Sequence, residues 1–346
     1  MTAGPAQQLI FLRELSATGS ASAFRCPPHW QSQWHTYKTS SSDQVMSVDP
    51  QHYATFLERI GHTVRHVGND WWYDCSSRVY VNFPFHQDVD AANLNVRDVL
   101  KSDGLIARMC CLPDQGVDSF RMMCYDKEYD FPSLRSRTRT QVRRGLEACS
   151  VERIEFSDLK RDYLPLQRAT LERQGRTSEQ VDRKYWDSYI DSAAAMPGTE
   201  TWAAYVDGQM AAYLISFMIE DIANLCIVRS NTELLKSFPN NALVFRYMHE
   251  VLRRPEVRGV DYGMESVEGG GENLERFKTG MGFEREQCGQ RIAFSHRIAP
   301  FMKPPVLKLF RPCVRTFLKN DTGRKLDGAL NWYQTQPALP AIRRAA

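Results

Sequence analysis

The longest apolar stretch of the chain, residues 202–228, is broken twice by turn residues, at Asp207-Gly208 and at Glu220-Asp221. A helix that crosses a bilayer needs about 20 consecutive apolar residues, so this stretch is not one membrane span. Asp-Gly between two alternating runs is a hairpin signal, because both residues accept the positive φ of a tight turn. The spacing predicts three antiparallel strands, over residues 202–206, 210–217 and 222–228.

The flanking sequence narrows the architecture. Residues 159–174 and 184–195 carry apolar residues at helical spacing. After the meander, Pro239 opens a helix to about Arg253, with Leu243, Val244, Tyr247, Met248, Val251 and Leu252 on one side. Residues 260–263 read as a short strand, and a helix carrying Phe277-Lys278 follows three glycines. Residues 282–287 and 291–295 read as a closing pair of strands. The order is two helices, a meander, a helix, a strand, a helix and a strand. The step from 222–228 to 260–263 through a helix predicts a parallel crossover. A sheet that changes there from antiparallel to parallel opens a cleft, and ligands bind at such points.

Upstream the patterns are shorter. Residues 1–44 are rich in Ser, Thr, Pro and Gln and read as a loosely ordered lead-in. Residues 50–60 read as a helix, 79–85 and 120–125 as strands, and 134–149 as a basic helix. The expected organisation is α+β. A first domain spans 45–155, a second 156–296, and a basic tail 297–346. The tail holds ten Lys and Arg against two Asp, so the rest carries −5 of a net charge of +3. Val306, Phe310, Val314, Phe317 and Leu318 recur there at helical spacing with basic residues between them. Such a helix either rests on an anionic membrane surface through 305–319 or packs back onto the protein. Residues 337–346 read as disordered.

Chain length, 42% hydrophobic and 25% charged residues fit a soluble protein of two domains. Nine cysteines include no C-x-x-C pair, so neither a zinc site nor a disulfide framework is expected. With no apolar leader at the start, the expected location is the cytoplasm, with peripheral membrane contact as an option.

The element order resembles the acyltransferase fold of the GNAT superfamily. Asp261-Tyr262-Gly263, Phe277-Lys278 and Gly282-Phe283 together resemble the C-terminal signature of its Fem-like branch, which includes the peptidoglycan interpeptide-bridge aminoacyltransferases. The hairpin at 202–214 and the basic helix at 136–146 are similar to elements of the same proteins. The resemblance covers residues 75–295 and implies two tandem GNAT-like domains. It implies an acyltransferase or aminoacyltransferase, with no metal or bound cofactor. Its donor would be acyl-CoA, a carrier-protein thioester or aminoacyl-tRNA, and its acceptor an amine on a small molecule or peptide. One departure stands out. GNAT enzymes cradle the coenzyme A pyrophosphate on a glycine-rich loop, whereas residues 230–241 here contain no glycine.

The candidate residues follow. Leu274, Phe277 and Met281 form an apolar helical stripe with Lys278 at its edge. That lysine either snorkels to water or is aimed at an anion. The resemblance places it towards the donor, as an oxyanion or phosphate contact. Arg229, at the end of its strand, suits a phosphate or carboxylate. Asn240 and Asn241 read as helix caps that could also meet a ligand, and Phe277 as a donor contact. Asp261 or Glu265 could accept the amine's proton, and Tyr262 could protonate the leaving group. Arg139, Arg143 and Arg144, with Arg135 and Arg137, either form a solvated face or contact a phosphate backbone such as that of tRNA. His86 and Cys226 show no partner, and His249 reads as structural. A binding module that has kept the fold without a donor site, or an RNA-binding protein, are the competing readings.

Overall fold

Residues 49–174, 182–267, 272–302, 307 and 321–339 are described by a computed structural model. In chain order they form α1 (Pro50–Arg59), β1 (Val64–Val67), β2 (Asp70–Ser76), β3 (Val79–Phe83), α2 (Val96–Leu100), β4 (Ile106–Cys111) and β5 (Val117–Cys124). Then come α3 (Ser136–Ala148), β6 (Ser150–Ile154), α4 (Phe156–Arg173), α5 (Arg183–Ala194), β7 (Thr199–Val206), β8 (Gln209–Ile219) and β9 (Ile222–Ser230). The last are α6 (Pro239–Val251), β10 (Gly259–Met264), α7 (Glu272–Gly280), β11 (Glu284–Phe294) and α8 (Asp321–Thr335).

The predicted meander is β7–β8–β9. Asp207 and Gly208 both take positive φ, 49° and 77°, as a tight hairpin turn requires. Side chains of β8 alternate between faces. Ala212, Leu214 and Met218 pack beneath α6, while Tyr213, Ile215 and Phe217 pack against α1, α4 and α5. The sheet is therefore buried on both sides.

All eleven strands join one sheet in the order β1-β2-β3-β4-β11-β5-β10-β9-β8-β7-β6. Two ladders are parallel, β3–β4 and β9–β10, and each holds three residue pairs before its strands part. The order also contains an exchange. β5 lies between β10 and β11, and β11 lies between β4 and β5. Each half of the chain thus inserts a strand into the sheet of the other.

Residues 282–295 differ from expectation. They form one eleven-residue strand, not two. Gly289, inside the expected break at 288–290, is there for close approach: a Cβ on it would lie 2.5 Å from the Leu112 carbonyl oxygen. The expectation of disorder over 337–346 is corrected for 337–339, because Pro337 accepts a hydrogen bond from Arg291 and Leu339 packs by the Trp72–Tyr80 cluster, while 340–346 lie outside the described residues. The segments proposed as lead-in (1–44) and as the amphipathic helix (305–319, apart from Leu307) lie outside the described residues. The described part of the tail, α8, packs Leu326, Ala329, Leu330 and Tyr333 with Ile292 and Phe294 of β11.

α3 lies on α6 where Gly145 removes a side chain. A Cβ there would stand 2.8 Å from the Phe238 carbonyl oxygen, a backbone atom that cannot swing aside. Gly145→Ala is therefore expected to cost about 1–3 kcal/mol by overpacking. Thermal unfolding checks this, and an unchanged midpoint would contradict the packing described.

Candidate functional site

The two parallel ladders end differently. In the first, the side chain of Asn82 on β3 accepts a hydrogen bond from the Cys110 backbone N–H at 2.9 Å. Val89 donates to the Cys110 carbonyl at 2.9 Å and bridges to Cys111. The chain itself fills that gap. In the second, the last paired residues are Asn224 and Asp261. Beyond them β9 runs on beside β8 to Ser230, and β10 runs on beside β5 to Met264.

Lys278 of α7 meets β10 at Tyr262, one residue past the last β9–β10 pair. It is 2% exposed, and so not the snorkelling residue its place on the apolar stripe allows. Its Nζ donates to the Tyr262 carbonyl at 2.5 Å and sits 4.8 Å from the centre of that residue's ring. Burial pulls its pKa down to about 8, against the opposing pull of Asp261 and Glu275. Asp261 is 2% exposed, and its Oδ1 accepts from the Gly263 N–H at 2.6 Å. Burial raises its pKa, opposed by that hydrogen bond and by the charges of His86, Lys278 and Arg121. Tyr262 is buried too, which drives its pKa up and keeps the phenol protonated. Phe277 is half-buried against the core that includes Tyr262 and Phe283.

Arg229 stands on the β9 wall. Its Nε donates to Gln167 Oε1 at 2.7 Å, and its guanidinium lies 5.9 Å from the centre of the Trp186 ring. Burial lowers its pKa, and the groups that oppose this are tyrosines. Arg173, from the end of α4, reaches the same strand end through Ser230 Oγ at 3.2 Å and Thr232 Oγ1 at 3.1 Å.

The remaining predicted residues are spread more widely. Asn240 and Asn241 are not the caps of α6. Phe238 is the cap, with a left-handed backbone at φ 53°, and Pro239 takes the first helical position. Asn240 Nδ2 donates to Ser230 Oγ at 3.1 Å, and Asn241 Nδ2 lies 3.5 Å from Gln141 Oε1 of α3. Glu265 turns to β5, on the side of β10 away from the gap, where its Oε2 accepts from Ser119 Oγ at 2.8 Å. On α3, Thr138, Val142 and Gly145 are buried, and Arg143 and Arg144 are exposed. Arg139 is half-buried and donates to the Leu134 carbonyl at 3.1 Å. Arg143 stacks over Phe131. His86 does have a partner, Glu220 Oε2 at 3.0 Å. His249 lies against Phe245 on α6.

Sequence reasoning missed Gln167, Thr170, Arg173 and Trp186. The first three recur every third residue on α4 and so share a face. That spacing was the available signal.

No family model matches the sequence, and no curated protein does. Solved structures do. The crystal structure of FemX superposes with a TM-score of 0.52 at 13% identity, covering 75% of this chain and 92% of that one. Looser superpositions reach L-PGS from Bacillus licheniformis, with a TM-score of 0.44 at 13% identity over 77% of this chain and 97% of that one. They also reach a tandem GNAT protein from the clavulanic acid biosynthesis pathway, with a TM-score of 0.41 at 13% identity over 66% and 79%. This chain shares the fold of FemX, an α+β architecture with helices on a large mixed sheet, and the FemX superposition carries that statement.

Proposed function

We propose that the chain transfers an acyl or aminoacyl group from an activated donor to an amine. The donor class is acyl-CoA, a carrier-protein thioester or aminoacyl-tRNA. The observation that carries this reading is Lys278: a buried ammonium held on the Tyr262 carbonyl, one residue past the last β9–β10 pair. A buried ammonium of this kind, aimed from a fixed position, stabilises developing negative charge. Residues 45–155 and 156–296 are taken as the two GNAT-like halves, with the donor on the second.

In the proposed reaction the neutral amine attacks the acyl carbon, and the carbonyl electrons move onto oxygen. Collapse of that tetrahedral oxyanion breaks the bond to the donor's sulfur or oxygen. Lys278 stabilises the oxyanion or an adjacent donor phosphate. Asp261, with its raised pKa, takes the proton released by the attacking nitrogen. Tyr262, held protonated, supplies the leaving group's proton when that group is an alkoxide. Phe277 borders the donor. The basic face of α3, with Arg139, Arg143 and Arg144, suits the backbone of a tRNA donor.

The start of α6 favours one second reading, a binding module of this fold without transfer. Pro239 has no N–H, and the Asn241 N–H already donates to Phe238 O, so a backbone phosphate cradle is poorly provided. Steady-state assays with acyl-CoA and charged tRNA, beside thermal shifts with the same compounds, decide between the two. Transfer from either donor supports the proposal. Stabilisation by a ligand with no transfer from any donor class would favour the module.

A further inference from the structure

We propose that Arg229, Arg173, Gln167 and Trp186 form a pocket for an oxyanion, the phosphate or carboxylate of a bound ligand, at the C-terminal end of β9. Gln167 shows the design most directly. It is fully buried, and its Oε1 accepts from both Arg229 Nε, at 2.7 Å, and the Tyr213 hydroxyl, at 3.2 Å. Those two bonds fix the amide, and its Nε2 is left as a buried donor with no acceptor. Trp186 Nε1 and Arg173 Nε are buried donors without acceptors as well. Unmet buried donors are destabilising, and native structures keep few of them without a reason.

Charge points the same way. Among the described residues no carboxylate pairs with Arg229 or Arg173, and after burial the Arg229 charge pulls the Arg173 pKa down further. Two half-buried guanidiniums, with spare N–H donors between α4, α5 and β9, call for a negative charge that no described residue supplies. Arg229 also lies over the Trp186 ring, which holds its plane while leaving hydrogen-bonding edges free. Side chains here supply what the proline-led start of α6 does not supply from its backbone.

The pocket's position on the donor or acceptor path rests on the acyl-transfer reading; its affinity for an oxyanion does not. The test is isothermal titration with inorganic pyrophosphate and, separately, with succinate, on the full chain and on two variants. Wild type is expected to bind at least one of them. Arg173→Gln should bind about tenfold or more weakly. Gln167→Glu places a carboxylate of the chain's own against Arg229, so it should unfold at a higher temperature without ligand and lose anion binding. Preference for pyrophosphate assigns the pocket to a phosphate-bearing donor, and preference for succinate assigns it to a carboxylate-bearing acceptor. Failure of wild type to bind either anion, or equal binding by wild type and Gln167→Glu, would overturn the pocket. Transfer by a protein that binds neither anion would leave the acyl-transfer reading standing. Anion binding without transfer from any donor would do the reverse.

Discussion

Lys278→Met is expected to lower acyl transfer by roughly 10²–10³-fold, the size of effect seen when one oxyanion donor is removed, while raising the stability of the fold. Methionine fills similar volume and removes the buried charge. A structural lysine would give the opposite sign, since its loss would unfold the protein and spare the chemistry of what remained. The stability gain has a pH signature. Lys278 has a folded pKa of about 8 against 10.5 ordinarily. Between those values the unfolded chain binds more protons at this residue than the folded one, so unfolding free energy rises with pH across that window. The whole rise is on the order of 3 kcal/mol, at about 1.4 kcal/mol per unit. The methionine variant should lack this rise. Below pH 8 the wild-type residue is charged in both states, and its penalty is constant. Catalysis that needs the ammonium should correspondingly decline above about pH 8. Full activity in a folded Lys278→Met protein, or the same stability slope between pH 8 and 10 in both proteins, would remove the role assigned here.

Glu200→Ala is expected to be the most damaging single change away from the gap, at roughly 3–5 kcal/mol, because it leaves a buried guanidinium unpaired. Glu200 on β7 is 4% exposed and accepts from Arg254 through both oxygens and from Trp202 Nε1 at 3.0 Å. Burial, the largest single effect, raises its pKa, but the hydrogen bond and charge of Arg254, the Trp202 hydrogen bond and the Arg153 charge together outweigh it, and the net shift is downward. Its contribution is therefore present above the ordinary carboxylate range and lost as pH falls through the lowered folded value. Arg254 closes the far end of α6, whose first turn borders the proposed donor site. A thermal midpoint lower by roughly 5–15 °C at neutral pH is expected, with the difference shrinking in acid. A midpoint within a degree of wild type would mean that Arg254 finds another partner, Glu250 at 3.5 Å being nearest.

What was legible in the sequence is what is local. Asp207-Gly208 declared its turn, the spacing of Leu243, Val244, Tyr247 and Met248 declared α6, and Val260 to Gly263 declared β10. The parallel step from β9 to β10, and with it the gap, followed from their order. What was not legible depends on meetings between distant residues. Gln167 acquires its meaning only when Arg229, 62 positions later, reaches its amide. A helical wheel marks Lys278 as an edge residue because it weighs polarity and not the β10 carbonyl that receives the ammonium. Asn240 and Asn241 looked like caps because their side chains favour that position. The left-handed backbone of Phe238 before Pro239 took it instead. Gly289 sits in the break expected between 287 and 291, and sequence alone does not separate a glycine that bends the chain from one that admits a neighbouring backbone.

The exchange of β5 and β11 sets the order in which this protein can be finished. Ser119 on β5 meets Gln290 on β11 across 171 residues of chain. While the first half leaves the ribosome, β5 has neither of its eventual neighbours, and β4 waits for the same late strand. Closing contacts so far apart costs chain entropy before any ladder repays it. Neither half is a complete module that could be inherited, deleted or shuffled alone, and a protease cut in the connection after β6 would still leave the two pieces laced together by their strands.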